Sequence, residues 1–466
     1  MAPSLPVEVR IKPGLDPDFL PAVLWNRAYR AQVGADPAAL DVRIALERPD
    51  GTCFVVDTRI LGHSGDRAAL NERYVERLVK TLLWHKGGSR LHIGGCAPLA
   101  KRLGEIYAAD GERAFDNETV GVKMFGEPIT VRACSLDEVP QAKESRIALG
   151  RNLDGCRIGF DLGGSDRKCA ALIDGKVVHS EEVNWDPYFE KDPDYHYRGI
   201  DDTLRRAAEK LPRVDAIGGS AAGVYVNNEV RVASLFRGVS PEDFDAKIRR
   251  IFFRLQEAWG NVPFVLVNDG EVTALAGSMS LGDNSLLGIS MGTSLAAGYC
   301  DPDGHITSGL NELAFSPVDY RDDAPADEWS GDLGCGVQYF SQQGVARLAP
   351  LAGIELPPEM PLAERLVEVQ KLMAAGDARA QAVYESIGVC FGYSIAYYAE
   401  HYAIRNLLIL GRVTSGEGGE LIIRVAEQLL CDEFPELADR ITLCTPSEQD
   451  KRHGQAIAAA SLPAII

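Results

Sequence analysis

The 466 residues contain no run of about 18 uninterrupted apolar residues, so the sequence offers no membrane-spanning helix. The opening stretch MAPSLPVEVRIKPG lacks a basic region followed by an apolar one; export is therefore not expected, and the expected location is the cytoplasm. Positive charge is also short. Lys and Arg number 48 against 67 Asp and Glu, a net charge of −19, which repels phosphate backbones and anionic lipid surfaces and argues against nucleic acid or membrane as a partner. Ten cysteines are scattered with no C-x-x-C pair and no tight cluster, as suits buried thiols in a reducing compartment. What is present is a globular composition, 46% hydrophobic and 25% charged, which excludes a disordered or collagen-like chain and is long enough for two or three domains with their own cores.

Residues 1–150 read as a small α/β unit. DVRIALER and TCFVVDTRI form a strand pair around the turn signal Pro49-Asp50-Gly51, followed by an amphipathic stretch from Asn71 to His85, a strand at Ser89-Arg-Leu-His-Ile-Gly-Gly and a helical stretch from Ala97 to Ala108. The polar stretch from Gln141 to Asp154 is a candidate linker. From Cys156 three strand-like runs arrive in succession, CRIGFDLGG, KCAALID and KVVHSEEVNW, close enough to be antiparallel hairpins. The period then changes: helix from Ile200 to Leu211, strand DAIGGSAAG, helix from Pro241 to Trp259, strand PFVLVND. That alternation implies a mainly parallel sheet covered on both faces, with the hairpins on one edge. A second round follows in SLLGISMGTS, LAAGYCD, NLLILGRV and ITLCTP, with a helix from Glu420 to Leu430 and, inserted, an acidic loop from Asp319 to Asp332 and a long helical region from Asp377 to His401. The boundaries drawn are 1–150, 151–285 and 286–466, the last helix of the chain being a candidate to return to the first lobe.

Four segments carry polar groups to strand ends. In Asp161-Leu-Gly-Gly-Ser-Asp-Arg-Lys168 the paired glycines Gly163 and Gly164 let backbone N–H groups face an anion. Ser165 and Lys168 add donors and charge, and Asp161 is placed to hold Mg²⁺ through water. An ordinary glycine turn is the alternative. Asn268-Asp269-Gly270 closes the strand PFVLV, putting Asp269 where a base and Asn268 where an orienting group are useful, or simply capping the next helix. Gly288-Ile-Ser-Met-Gly292-Thr-Ser294 suits a second phosphate turn presenting Thr293 and Ser294. It also spells G-x-S-x-G, the elbow of a serine hydrolase built on Ser290, with His305, His401 and His453 available. The elbow requires a helix directly after the serine, whereas LAAGYCDPDGH reads as a strand. Gly411-Arg412-Val-Thr-Ser-Gly416 is a strand-to-helix loop suited to an adenosine, and Glu312 follows the second hairpin as a possible hydroxyl acceptor.

Taken in order, these segments from about Arg157 to about Leu462 resemble the ROK family of sugar kinases and sugar-responsive repressors. DLGGS is similar to its first phosphate motif, VNDGEVTALAG to its catalytic segment, GISMGTS to its second phosphate motif and LILGRVTS to its adenosine motif. The resemblance implies an α/β fold of the duplicated ribonuclease H-like, actin and hexokinase type, with two lobes, mixed sheets and here an additional N-terminal α/β unit. It implies ATP with Mg²⁺ as donor, a small-molecule sugar as acceptor, Asp269 as base, and Asn268, Glu312 and Gly223 on the sugar side. Many members of the family are dimers. Some positions depart from the pattern. The histidine of the family's E-x-G-H segment is Phe315, and Leu333-Gly-Cys335-Gly336-Val-Gln-Tyr-Phe340 keeps one of three zinc-ligating cysteines; since one thiol cannot make a tetrahedral site, no structural zinc is expected. Gln342 replaces a later glutamate, and Val232-Ala-Ser-Leu-Phe-Arg237 has no sugar-binding asparagine. A non-catalytic sugar sensor is the alternative these departures favour. No function is read from residues 1–150.

Overall fold

A computed structural model describes residues 5–144, 149–445 and 454–465. The N-terminal region builds a sheet of β1 (Leu40–Glu47), β2 (Cys53–Ile60), β3 (Arg90–Gly94) and β4 (Thr130–Cys134) in the order β2-β1-β3-β4. β1 and β2 are antiparallel around the expected turn. Asp50 Oδ1 accepts from the Thr52 amide at 2.9 Å, and Gly51 takes a φ of +81° that glycine adopts without strain. The amphipathic helix starts at Asp66 and runs to His85, because Leu70 and Tyr74 extend its buried face. The helix Ala22–Ala35 was not anticipated from the sequence. The candidate linker falls partly on residues 145–148, outside the described residues.

The second sheet uses β5 (Cys156–Leu162), β6 (Asp166–Ile173), β7 (Lys176–Asn184) and β8 (Ala216–Ala221). After a short hairpin of β9 (Val224–Val226) and β10 (Glu229–Val232), β11 (Phe264–Asn268) completes it in the order β11-β8-β5-β6-β7. β5, β6 and β7 are antiparallel neighbours at one edge, and β5, β8 and β11 are parallel, as the succession of strand-like runs implied. Every residue of β5 is buried, since helices cover both faces. On one face the helix Gln455–Ala460 lies so close that a Cβ at Gly159 would sit 1.8 Å from Ala456 O, and one at Gly218 1.7 Å from Ala459 O. The chain's last helix thus packs on the first sheet. The stretch from Pro241 to Trp259 is not one helix: a π-helical turn at Phe244–Ile248 precedes a separate helix at Ile251–Ala258. The break occurs where the Arg249 carbonyl accepts instead from the Val230 amide of β10, at 3.0 Å.

The third sheet consists of β12 (Leu286–Met291), β13 (Leu295–Cys300), β14 (Asn406–Leu410) and β15 (Thr442–Cys444), ordered β13-β12-β14-β15. It repeats an antiparallel pair followed by parallel strands. Its helix Ala378–Tyr398 is buried almost all round, and the adjoining helix Gly416–Glu433 approaches its Gly388 and Gly392.

The N-terminal unit and this second lobe share one apolar cluster. Trp84 stacks on Phe315 at 4.1 Å between ring centroids, and Trp25 meets Tyr320 at 5.5 Å. Lys80, fully buried, pairs with Asp116 at 3.0 Å and with Asp332 of the second lobe. Among the described residues no helix is long and apolar enough to cross a membrane.

Candidate active site

β5, β8 and β11 end together, the register pairing Asp161 with Ser220 and Ala221 with Asn268. Carboxyl ends of parallel strands are where α/β folds open a cleft. Asp161 accepts a hydrogen bond from Ser220 Oγ at 2.5 Å. Burial raises its pKa, against that hydrogen bond and the nearby Lys168 charge. In the turn that follows, the Gly163 amide donates to Asp166 O at 2.9 Å, and the Trp185 indole donates to Gly163 O at 2.8 Å. Tyr188 covers Gly164, where a Cβ would lie 2.1 Å from its hydroxyl. Ser165 Oγ donates to Asp166 at 2.9 Å and the Lys168 ammonium lies 3.3 Å from the same carboxylate. Both donors assigned to phosphate are thus engaged locally by Asp166.

At the end of β11 the helix cap is Asn268. Its Oδ1 accepts from the Gly270 amide at 2.7 Å, while its Nδ2 donates to Gly223 O at 2.7 Å. Asp269 is the first helical residue, so the cap position weighed for it belongs to its neighbour, although its own Oδ1 also accepts from the Gly270 amide at 2.9 Å. Burial, then the Asp161 charge, pushes the Asp269 carboxyl up to about 6.

Across the cleft, the Asn311 and Glu312 amides donate to His85 O at 3.1 Å and Trp84 O at 2.9 Å. These are carbonyls at the C-terminus of the helix Asp66–His85, which has no intrahelical partners for them. Asn311 sits at φ +52°, a conformation asparagine tolerates. Its Nδ2 donates to Glu271, and its Oδ1 accepts from Tyr402 OH at 2.8 Å. Burial pushes Glu271 up to about 8, and burial together with the Asp269 charge pushes Glu312 up to about 7. Four carboxyls, Asp161, Asp269, Glu312 and Glu271, therefore form an electrostatically connected row. Among the described residues, the Glu312 carboxyl makes no hydrogen bond to another side chain or backbone group.

Of these groups Glu271 and Glu312, with Asn268 and Gly223, border a cavity of about 390 Å³, and Asp269 stands next in the chain to its Asn268 wall. Its walls are Gly223 to Asn228 and Val265 to Asn268 from the first lobe, Ile306 to Leu310 with Glu312 from the second, and Arg48, Asp50, Thr52 and Phe125 from the N-terminal unit.

The two remaining loops are neighbours because β12 and β14 pair in parallel. Gly292, Thr293 and Ser294 make the turn into β13, with the Gly292 amide donating to Ser294 O at 2.9 Å and the Thr293 and Ser294 side chains exposed. Gly411, at φ +109°, lies against the Met291 backbone, and exposed Arg412 gives its carbonyl to Gln370 Nε2 at 2.8 Å. Ser290 stands opposite Ala296 inside a β-hairpin. The strand-to-helix turn of a hydrolase elbow is therefore absent at that serine. His401 is half-buried against Tyr397 and His85, and His453 lies outside the described residues. Cys335 is buried, its thiol near the Phe315 and Asp332 carbonyls at 3.8 and 3.7 Å.

Sequence reasoning brought together Asp161, Asn268, Asp269, Glu312 and Gly223, and it missed Ser220, Glu271, Asn311 and Arg48. Glu271 was legible as the second carboxylate of Asp269-Gly-Glu271. Ser220 was legible only through strand register, and Arg48 only through tertiary contact.

No protein-family model matches the chain, and no curated protein matches it. Solved structures do. The ROK hexokinase from Thermus thermophilus is 19% identical with a TM-score of 0.53, over 66% of this chain and 97% of that one. A ROK family transcriptional regulator, a homolog of the E. coli MLC protein, is 19% identical with a TM-score of 0.52, over 66% of this chain and 79% of that one. The chain therefore has the fold of the ROK family, two lobes of ribonuclease H-like type around a cleft, joined here to an N-terminal α/β unit.

Proposed function

We propose that this protein is an ATP-dependent sugar kinase in which Asp269 removes the proton from the attacking carbohydrate hydroxyl. The observation that carries this reading is Asp269 itself: half-buried, next in the chain to the cavity-lining helix cap Asn268, with its carboxyl raised to about 6 although its Oδ1 accepts from the Gly270 amide. A carboxylate with that pKa is ionised at neutral pH and more basic than an exposed one, as a general base requires. Glu312 and Asn268 hold the sugar hydroxyls, with Gly223 fixing Asn268 through its carbonyl. Gly292, Thr293 and Ser294 face the phosphates, and Gly411 with Arg412 borders the adenosine; in the first glycine turn the Gly163 amide is taken by Asp166 O and Tyr188 covers Gly164, so that turn would have to open to receive a phosphate. Asp161 suits Mg²⁺ held through water, because such ions take one or two carboxylates together with substrate phosphates. The ion, when bound with ATP, neutralises charge on the transferring phosphoryl group.

A second reading, a sugar sensor without turnover, is favoured by one observation: the likeness to a ROK regulator, with a TM-score of 0.52, is close to that to a ROK hexokinase, with 0.53. A coupled ADP-release assay and a thermal-shift screen of sugars, run on wild type and Asp269→Ala, separate the two. The kinase requires sugar-dependent ADP release that falls about 10²–10⁴-fold in the variant, with nucleotide binding retained. Stabilisation by a sugar without ADP release establishes the sensor instead.

A further inference from the structure

The cavity has a third wall that the two lobes do not supply. Arg48, at the end of β1 in the N-terminal unit, lines it and is only 5% exposed. Its Nε donates to Gly87 O at 3.1 Å, and its Nη2 donates to the carbonyls of Lys86 and, across to the second lobe, Ser308. The rings of Phe54 and Phe125 each have their centroid 5.2 Å from the guanidinium carbon, clamping its plane. Among the described residues, no carboxylate comes within 4.0 Å of the guanidinium, and Nη1 has no acceptor.

Lys86 lies beside it, its ammonium 5.4 Å from the Phe54 ring and likewise without a carboxylate at ion-pair distance among the described residues. Burial lowers both pKa values, that of Arg48 to about 10. Asp50 is exposed and accepts from the Thr52 amide; its charge favours the Arg48 cation but makes no ion pair with it. A buried guanidinium on a cavity wall, with a second cation beside it and no ion-pair partner for it among the described residues, is unexpected in a chain with a net charge of −19, because buried charge normally finds a counter-charge.

We propose that the cavity takes an acidic sugar, whose carboxylate or phosphate oxyanion pairs with Arg48 while its hydroxyls reach Glu312 and Asn268. This rests on the sugar-site reading above. A guanidinium with its plane fixed and donors spare is suited to an oxyanion. Glu312 and Asn268 on the same cavity take hydroxyls, and the Glu312 and Glu271 carboxyls disfavour the acidic group beside them, which orients the ligand. The N-terminal unit is thereby a specificity element.

The test is titration calorimetry of the full chain with glucose, glucuronate, gluconate and glucose 6-phosphate, each also assayed for MgATP-dependent ADP release. At least one acid is expected to bind about tenfold or more tightly than glucose, with an advantage that shrinks as sodium chloride is raised. The carboxylates and the phosphate ester separate the two oxyanions. Arg48→Gln should abolish the advantage and Arg48→Lys retain part of it. Should Arg48→Gln fail to fold, Lys86→Gln and the salt dependence of the wild type give the same reading.

Glucose binding as tightly as every acid, no acid binding at millimolar concentration, or an acid advantage unchanged in a folded Arg48→Gln each overturns the proposal. Acid-selective binding without ADP release upholds it and removes the kinase reading. ADP release with glucose alone does the reverse.

Discussion

Asp269, Glu312 and Glu271 hold protons at pH values where an exposed carboxyl has lost them. Two consequences follow at the residue scale. Because the base works ionised, kcat is expected to rise with pH through about 6 and level off above it, and Asp269→Asn should remove that limb from the pH profile. Raised carboxyl pKa values also make the folded chain bind more protons than the unfolded one. Their contribution to stability is complete below the ordinary carboxyl range and is lost as pH rises through about 6 to 8. Glu271→Gln, which keeps an acceptor for the Asn311 amide, should therefore melt higher relative to wild type at pH 8.5 than at pH 5. Melting curves across that range check it, and a constant difference would count against a proton held at Glu271. Sequence spacing pointed to Asp269 and Glu312 as candidates but carried nothing about their pKa values, which arise from burial and from carboxyls brought together by a strand, a helix and a loop.

At the scale of elements, the docking of the helix Gln455–Ala460 depends on the absence of side chains at Gly159 and Gly218. A methyl group at either would overlap a backbone carbonyl, which cannot rotate aside as a side chain can. Gly218→Ala should destabilise by about 3 kcal/mol, the upper end of the overpacking range. It should also expose the last helix to limited proteolysis; a loss under about 1 kcal/mol in urea unfolding would mean the helix shifts at little cost. The strand runs and the order of strands and helices were legible because hydrophobic periodicity is local. The break after Phe244–Ile248 was not, since it comes from one long-range hydrogen bond, Val230 N to Arg249 O.

For the whole molecule, the N-terminal unit is held to the second lobe by a buried charge cluster. Lys80 sits between Asp116 and Asp332, and Arg113 joins Asp332 to Glu76, at 2.7 Å from the latter. Removing one member leaves uncompensated charge, so Lys80→Met should cost about 3–5 kcal/mol in chemical denaturation. The same change should weaken sugar binding, because the helix that carries Lys80 also supplies the carbonyls that hold Asn311 and Glu312. Unchanged sugar affinity in a folded Lys80→Met would separate the cluster from the site.

Several features were settled by the chain's own residues. Alternating strand and helix periods, turn signals such as Pro49-Asp50-Gly51, and small polar residues at strand ends determined a duplicated α/β architecture and nominated Asp161 and Asp269. These are properties of neighbours along the chain. Only the tertiary structure decided that Asn268 rather than Asp269 caps the helix, that Ser220 reaches Asp161, and that an arginine from the first 50 residues walls a cavity built by residues up to 312. Those outcomes depend on which groups meet across sheet register and between units, and on the water excluded where they meet.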